Sequence, residues 1–156
     1  MTTTPPTPTT PPTPTTPPTT TPPPPPVAGL TAEEQWMFDA VNQARVGNGL
    51  APLKINLTLV ALARQKAQDM VTNNYFAHQS PTLGSAFDQM KRAGVYFTTA
   101  GENLGEANSV YTAHYRLLAS PDHHANIMNS TYTEVGIGVI DLSPSGVMVA
   151  QFFIGK

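Results

Sequence analysis

Val135-Gly136-Ile137-Gly138-Val139-Ile140 and Val147-Met148-Val149-Ala150-Gln151-Phe152-Phe153-Ile154, separated by Asp141-Leu142-Ser143-Pro144-Ser145-Gly146, decide the fold class. Both runs are short, apolar and rich in β-branched or aromatic residues, and Ser143 to Gly146 supply turn chemistry, so they read as a β-hairpin. Gly136 and Gly138 alternate along the first strand, where missing side chains let another element approach closely. Upstream the apolar pattern becomes helical. Thr31-Ala32-Glu33-Glu34 reads as a capping box, the Thr31 oxygen and the Glu34 carboxylate both satisfying amides at a helix start. Behind it Trp36, Met37, Ala40, Val41 and Ala44 recur at helical spacing until Gly47 and Gly49. A second helix is expected after Asn56, burying Leu59, Leu62, Ala63, Ala67, Met70 and Val71 and stopping at Asn73-Asn74. Ser85 caps a short third helix through Phe87 and Met90 to Gly94. Val110, Tyr111, His114, Leu117 and Leu118 mark a fourth, and Pro121 opens another short turn carrying His123 and Asn126. A further strand is expected at Val95 to Thr98. Helices first and antiparallel strands last imply an α+β domain.

The N-terminal end is of another kind. Residues 2–26 are only Thr and Pro, with no apolar surface to offset the entropy of ordering. Residues 1–27 are therefore expected to be a disordered stalk or linker of polyproline-II character, spanning on the order of 80 Å at about 3.1 Å per residue. Such a composition suits an O-glycosylated stalk on a surface or secreted protein, or a plain linker. No apolar signal-peptide core precedes it, so a secreted protein is expected to have lost its signal, with Met1 an added start. Residues 28–156 form the globular domain, and no run within them is long enough to cross a bilayer. A net charge of -2 with only eight scattered Lys and Arg excludes nucleic-acid binding through phosphate neutralisation. There are no cysteines, which removes disulfides, thiolate chemistry and cysteine-ligated metals together.

Chemistry-bearing side chains concentrate in four segments: Tyr75-Phe76-Ala77-His78-Gln79-Ser80, Gly101-Glu102-Asn103-Leu104, Ser120-Pro121-Asp122-His123-His124-Ala125-Asn126-Ile127 and Thr133-Glu134-Val135-Gly136-Ile137-Gly138-Val139. Each sets an imidazole or carboxylate beside small or turn-forming residues, where a fold displays side chains in a cleft. In this order, with Gln151-Phe152 near the end, they resemble the CAP superfamily, also called the SCP or cysteine-rich secretory/pathogenesis-related-1 domain, in its cysteine-free bacterial form. The resemblance runs from about Leu30 to the C-terminus. It implies an α-β-α sandwich with about three strands between helical layers, and a secreted or surface-displayed protein.

The resemblance also implies a cleft of two histidines and two acids that binds a divalent metal in several members. By motif His78, Glu102 and His123 fall on that set as metal ligands, and Glu134 is the second acid, in an order that differs from many eukaryotic members. Imidazole nitrogens with carboxylates suit zinc. The same residues could equally form a metal-free network in which each carboxylate fixes an imidazole tautomer. Ser80 invites a nucleophile reading, but a serine two residues from a histidine has no reason to meet its ring nitrogen, and no Gly-x-Ser-x-Gly elbow or His-Glu-x-x-His helix occurs. Asn103 and Asn126 are expected to tie loop backbone beside the cleft. His124 stands where the bacterial motif carries arginine; the change removes a planar fork of donors, and the position reads equally as a solvated helix face. His114 reads as a core or rim histidine. The function expected is a monomeric, non-enzymatic binding module for a metal or a small ligand, with lipid, glycan or protein as partner classes; the alternative is a peptidase or cell-wall hydrolase working through the His/Glu cleft.

Overall fold

The structure, a computed structural model, describes residues 25–156. The stalk expected over residues 1–27 lies outside the described residues up to residue 24. Five helices and four strands follow in the order α1 (Ala32–Gly47), β1 (Lys54–Ile55), α2 (Leu57–Thr72), α3 (Ala86–Arg92), β2 (Thr99–Ala107), α4 (Val110–Ala119), α5 (Pro121–Ile127), β3 (Glu134–Asp141) and β4 (Val147–Gly155). One mixed sheet has the order β1-β3-β4-β2, with β1 parallel to β3 and the other pairs antiparallel.

β4 explains the layering. All of its residues are buried and alternate between two cores, as a strand's period of two requires. Val147, Val149 and Phe153 join Val135, Ile137 and Val139 against α1, α4 and α5. Met148, Ala150, Phe152 and Ile154 face the other way, against α2 and α3. The result is the expected α-β-α sandwich. Its sheet has four strands where about three were expected, because β1 is two residues long and leaves no periodic signal.

α2 lies directly on the two strand glycines. A Cβ on Gly136 would fall inside the main chain of Leu59 and Val60, and one on Gly138 inside Ala63 and Arg64. Helix starts also follow the sequence. Asn56, Ser85 and Ser109 accept hydrogen bonds from Leu59, Asp88 and Thr112 amides, and Pro121 opens α5.

Two readings need correction. Only half of the first capping box forms: Thr31 accepts from the Glu34 amide, but the buried Glu34 carboxylate turns instead to Arg64, whose Nη2 lies 2.6 Å from it. A complete box forms at Ser85 and Asp88. Val95 to Thr98 is not a strand. Val95 and Phe97 pack against the α2/α3 core from irregular backbone, and the ladder with β4 begins at Thr99.

Candidate functional site

Edge strand β2 carries the site, so Gly101 to Leu104 are strand residues and not a turn. Glu102 pairs in register with Phe152 and Asn103 with Gln151, so their side chains leave the sheet on opposite faces. Glu102 points to the α2 side, where its Oε1 lies 2.7 Å from His78 Nδ1. Asn103 points to the α5 side. Its amide donates to the His123 carbonyl and to Gln151 Oε1, each at 3.1 Å, and it accepts from Asn126 Nδ2 at 2.8 Å. Asn126 also donates to the Glu102 carbonyl at 3.2 Å. Two neighbouring strand residues therefore anchor the two histidine-bearing segments, one through a ring and one through its main chain.

The pair is asymmetric. The Glu102 side chain is 5% exposed and the His78 side chain 67%. Burial pushes the Glu102 carboxyl above the usual range, against the opposing pull of the His78 hydrogen bond and the Lys66 charge. Its Oε2 is buried without a hydrogen-bond partner among the described residues. An ionised Glu102 accepts from His78 Nδ1–H, which leaves Nε2 of an exposed ring as an acceptor.

A second network holds the His78 loop. Lys66, fully buried on α2, donates to the His78 carbonyl at 2.9 Å and to the Tyr75 hydroxyl at 3.3 Å. Burial lowers its pKa, opposed by the Glu102 and Asp69 carboxylates. Asp69 accepts from Ser80 Oγ at 2.6 Å, Thr82 Oγ1 at 2.8 Å, Asn73 Nδ2 at 2.7 Å and the Tyr75 hydroxyl. Partial burial alone would raise the Asp69 carboxyl, but these donors outweigh it and hold the group below its ordinary value. The Tyr75 hydroxyl, desolvated and donating to Asp69, is pushed up to about 12. Ser80 is buried and fully engaged: besides Asp69, its oxygen accepts from the Thr82 and Leu83 amides at 3.1 and 2.9 Å.

Glu134 has other partners. Glu134 accepts from Asn56 Nδ2 at 3.3 Å and pairs with Lys156 Nζ at 3.0 Å, at the far side of the sheet from β2. It lines an open cleft of about 600 Å³ with Arg45, Lys54, Tyr132 and Thr133. That cleft does not include His78 or Glu102. His123 is half-buried on α5, His124 is exposed and His114 is buried. Among the described residues no group of three or more His, Asp or Glu side chains stands ready to hold a metal ion. The His78–Glu102 pair alone offers one carboxylate and one free imidazole nitrogen, which does not make the three-ligand set of a catalytic zinc.

Sequence reasoning missed Lys66 and Asp69. Lys66 had a signal: it falls between Ala63 and Met70 at helical spacing, on the stripe that α2 buries. Glu34 and Arg45 break the Met37–Val41 stripe of α1 in the same way, and both are buried.

The class is a three-layer α-β-α sandwich in which Glu102 of the edge strand meets His78 of the loop between α2 and α3. The chain belongs to the CAP, or cysteine-rich secretory protein, family, whose model matches residues 38–154. It is 40% identical over 130 residues to the uncharacterized protein YkwD of Bacillus subtilis, a match covering 83% of this chain and 49% of that protein. It is 37% identical over 111 residues to the uncharacterized membrane protein YlbC of the same organism, covering 70% of this chain and 32% of that one. The chain thus spans about half or less of the curated relatives it matches. Among solved structures, an extracellular SCP-domain protein from Bacillus anthracis superposes with a TM-score of 0.74 at 34% identity, over 80% of this chain and 40% of that chain. A cysteine-rich secretory protein from Staphylococcus aureus gives 0.69 at 25%, over 84% and 40%. No helix of the described residues is long and apolar enough to cross a membrane.

Proposed function

We propose that the domain is a metal-independent binding module displayed outside the cell, and that it holds a small hydroxyl-rich ligand, a glycan fragment, at His78. The observation that carries this reading is the 2.7 Å contact between His78 Nδ1 and a buried Glu102. A buried carboxylate fixes the tautomer of an exposed ring, so that Nε2 presents a lone pair to a ligand hydroxyl at fixed orientation. Lys66 and Asp69 hold the loop that carries the ring, so little ordering entropy is left for binding to cost. Display outside the cell is supported by the Thr/Pro-rich residues 2–26 and the likeness to a protein described as extracellular.

The test is calorimetric titration with a soluble disaccharide of N-acetylated amino sugars, beside thermal melts of metal-stripped protein with zinc. Wild type should bind the disaccharide, and His78→Ala should lose at least about tenfold in affinity, some 1.4 kcal/mol, while remaining folded at the titration temperature. Equal binding by wild type and His78→Ala would sink the proposal. So would a zinc-specific stabilisation near 2.7 kcal/mol at about a hundred times the dissociation constant, if His78→Ala removed it.

A further inference from the structure

Arg45, in the last turn of α1, carries a charge that no side chain balances. It is 1% exposed and makes no ion pair among the described residues, and residues 1–24 hold no Asp or Glu that could supply one. Its Nε donates to the Ala51 carbonyl at 2.9 Å, and its Nη1 to the Ile127 and Asn129 carbonyls at 2.8 and 2.9 Å. Nη2 has only the Tyr132 carbonyl, at 3.4 Å. A guanidinium carries five N–H donors, so one on Nη2 is left without an acceptor among the described residues. Burial lowers the Arg45 pKa and no carboxylate opposes the shift, yet a guanidinium stays charged at neutral pH. A buried cation with an unused donor is stabilised by any anion brought against it.

There is room for one. Arg45 lines the open cleft of about 600 Å³ at Glu134, and at 1% exposure it forms the floor. The other charges of the cleft favour an anion. Lys54, exposed on β1, makes no ion pair among the described residues, and Glu134 is already paired with Lys156 Nζ at 3.0 Å. Ser130 and Thr133 add two hydroxyls, neither of them hydrogen-bonded among the described residues. These donors come from α1, β1 and the α5–β3 connection, so they surround a ligand instead of lying in one plane. That suits the tetrahedral oxygens of a phosphate better than a planar carboxylate. A phosphate group fills a small part of the cleft, and Leu50 and Pro52 give the remainder an apolar wall for an organic body.

We propose that the cleft is a phosphate-ester site, separate from the His78–Glu102 pair. Arg45 Nη2, Lys54 and the Ser130 and Thr133 hydroxyls hold the phosphate, and its organic substituent lies along Leu50 and Pro52.

The test is a titration of the isotope-labelled full chain with glycerol 3-phosphate at constant ionic strength, read on the Ala51, Lys54 and Thr133 amide signals. Arg45 also ties α1 to the α5–β3 connection, so the variants are placed at exposed Lys54, where the fold is retained. Wild type should show saturable shifts. Lys54→Met should weaken binding about fivefold, the loss of one cation near a charged group in water, and Lys54→Glu should abolish it. Acetate should compete poorly. Vesicles of phosphatidylcholine with phosphatidate distinguish a lipid headgroup from a soluble ester: tighter binding to them, with the same dependence on Lys54, keeps the site and puts its phosphate on a lipid. Shifts that do not saturate, binding unchanged in Lys54→Glu, or acetate bound as tightly as the phosphate ester would each overturn the proposal.

Discussion

Glu102 and Asp69, both beside the His78 loop, titrate in opposite senses. A carboxyl whose folded pKa is raised, as burial raises Glu102, keeps a proton that the unfolded chain has already released. Its contribution therefore stabilises the fold below the ordinary carboxylate pKa, about 4.3 for Glu, and is lost as pH rises through the folded value. Asp69 is held low by its hydrogen-bond donors, so its contribution is present above the ordinary Asp value and is lost as pH falls through the folded one. Glu102→Gln is expected to flatten the decline in melting temperature just above the ordinary carboxylate range, and to leave the loss at more acid pH intact. Asp69→Asn should do the reverse. Melts of both variants from acid to neutral pH decide it; a Glu102→Gln profile parallel to wild type through the upper window would show that this carboxyl is not raised. His78 and Glu102 stood out through the family-like motifs Phe76-Ala77-His78-Gln79-Ser80 and Gly101-Glu102-Asn103, and the structure sets the two side chains 2.7 Å apart. Lys66 and Asp69 did not stand out, since a lysine and an aspartate on a helix ordinarily face water.

Among the elements, α2 shows how two absent side chains set a layer distance. The helix rests on Gly136 and Gly138, and any Cβ there meets main chain that cannot rotate away. Gly138→Ala is expected to push α2 off the sheet at a cost of about 1–3 kcal/mol, read as a fall in melting temperature and as faster amide exchange in α2. Gly105→Ala is the control. Its Cβ would meet only the Leu117 side chain, at an ordinary 3.7 Å, so little change should follow. Equal stability of the two variants would show that α2 is not seated by its glycines. The close approach was readable from the alternation of glycines in an apolar strand. β2 was not readable. Gly101, Glu102, Asn103, Gly105 and Glu106 have poor strand propensity, and the segment is a strand because β4 offers it a ladder from Thr99↔Gly155 to Ala107↔Val147. The error at Val95 to Thr98 has the same origin. Val95 and Phe97 are good strand formers, but they spend their apolar surface on the α2/α3 core, and the sheet edge is taken by the residues after them.

For the whole molecule the decisive fact is that both cores share one strand. Phe152 and Phe153 are adjacent in β4, fully buried, and belong to opposite cores. Phe152→Ala should cost about 3–5 kcal/mol, a large part of the 5–15 kcal/mol typical of a domain, and lower the melting temperature by about 10–20 °C. The cavity opens on the α2/α3 side, whereas Trp36 reports from the α1/α4 side. If the sheet couples the layers, tryptophan emission and far-ultraviolet circular dichroism fall together at the lowered temperature. Were the layers independent, Trp36 would hold its wild-type transition while helical signal from α2 and α3 was lost first. Coupling matters for the site, because His78 hangs from the α2 layer and the His123 main chain from the α5 layer. Glu102 and Asn103 can hold both segments in place only while β2 stays laddered to β4, so a loss of packing beneath Phe152 should loosen the His78 loop before any site residue is touched.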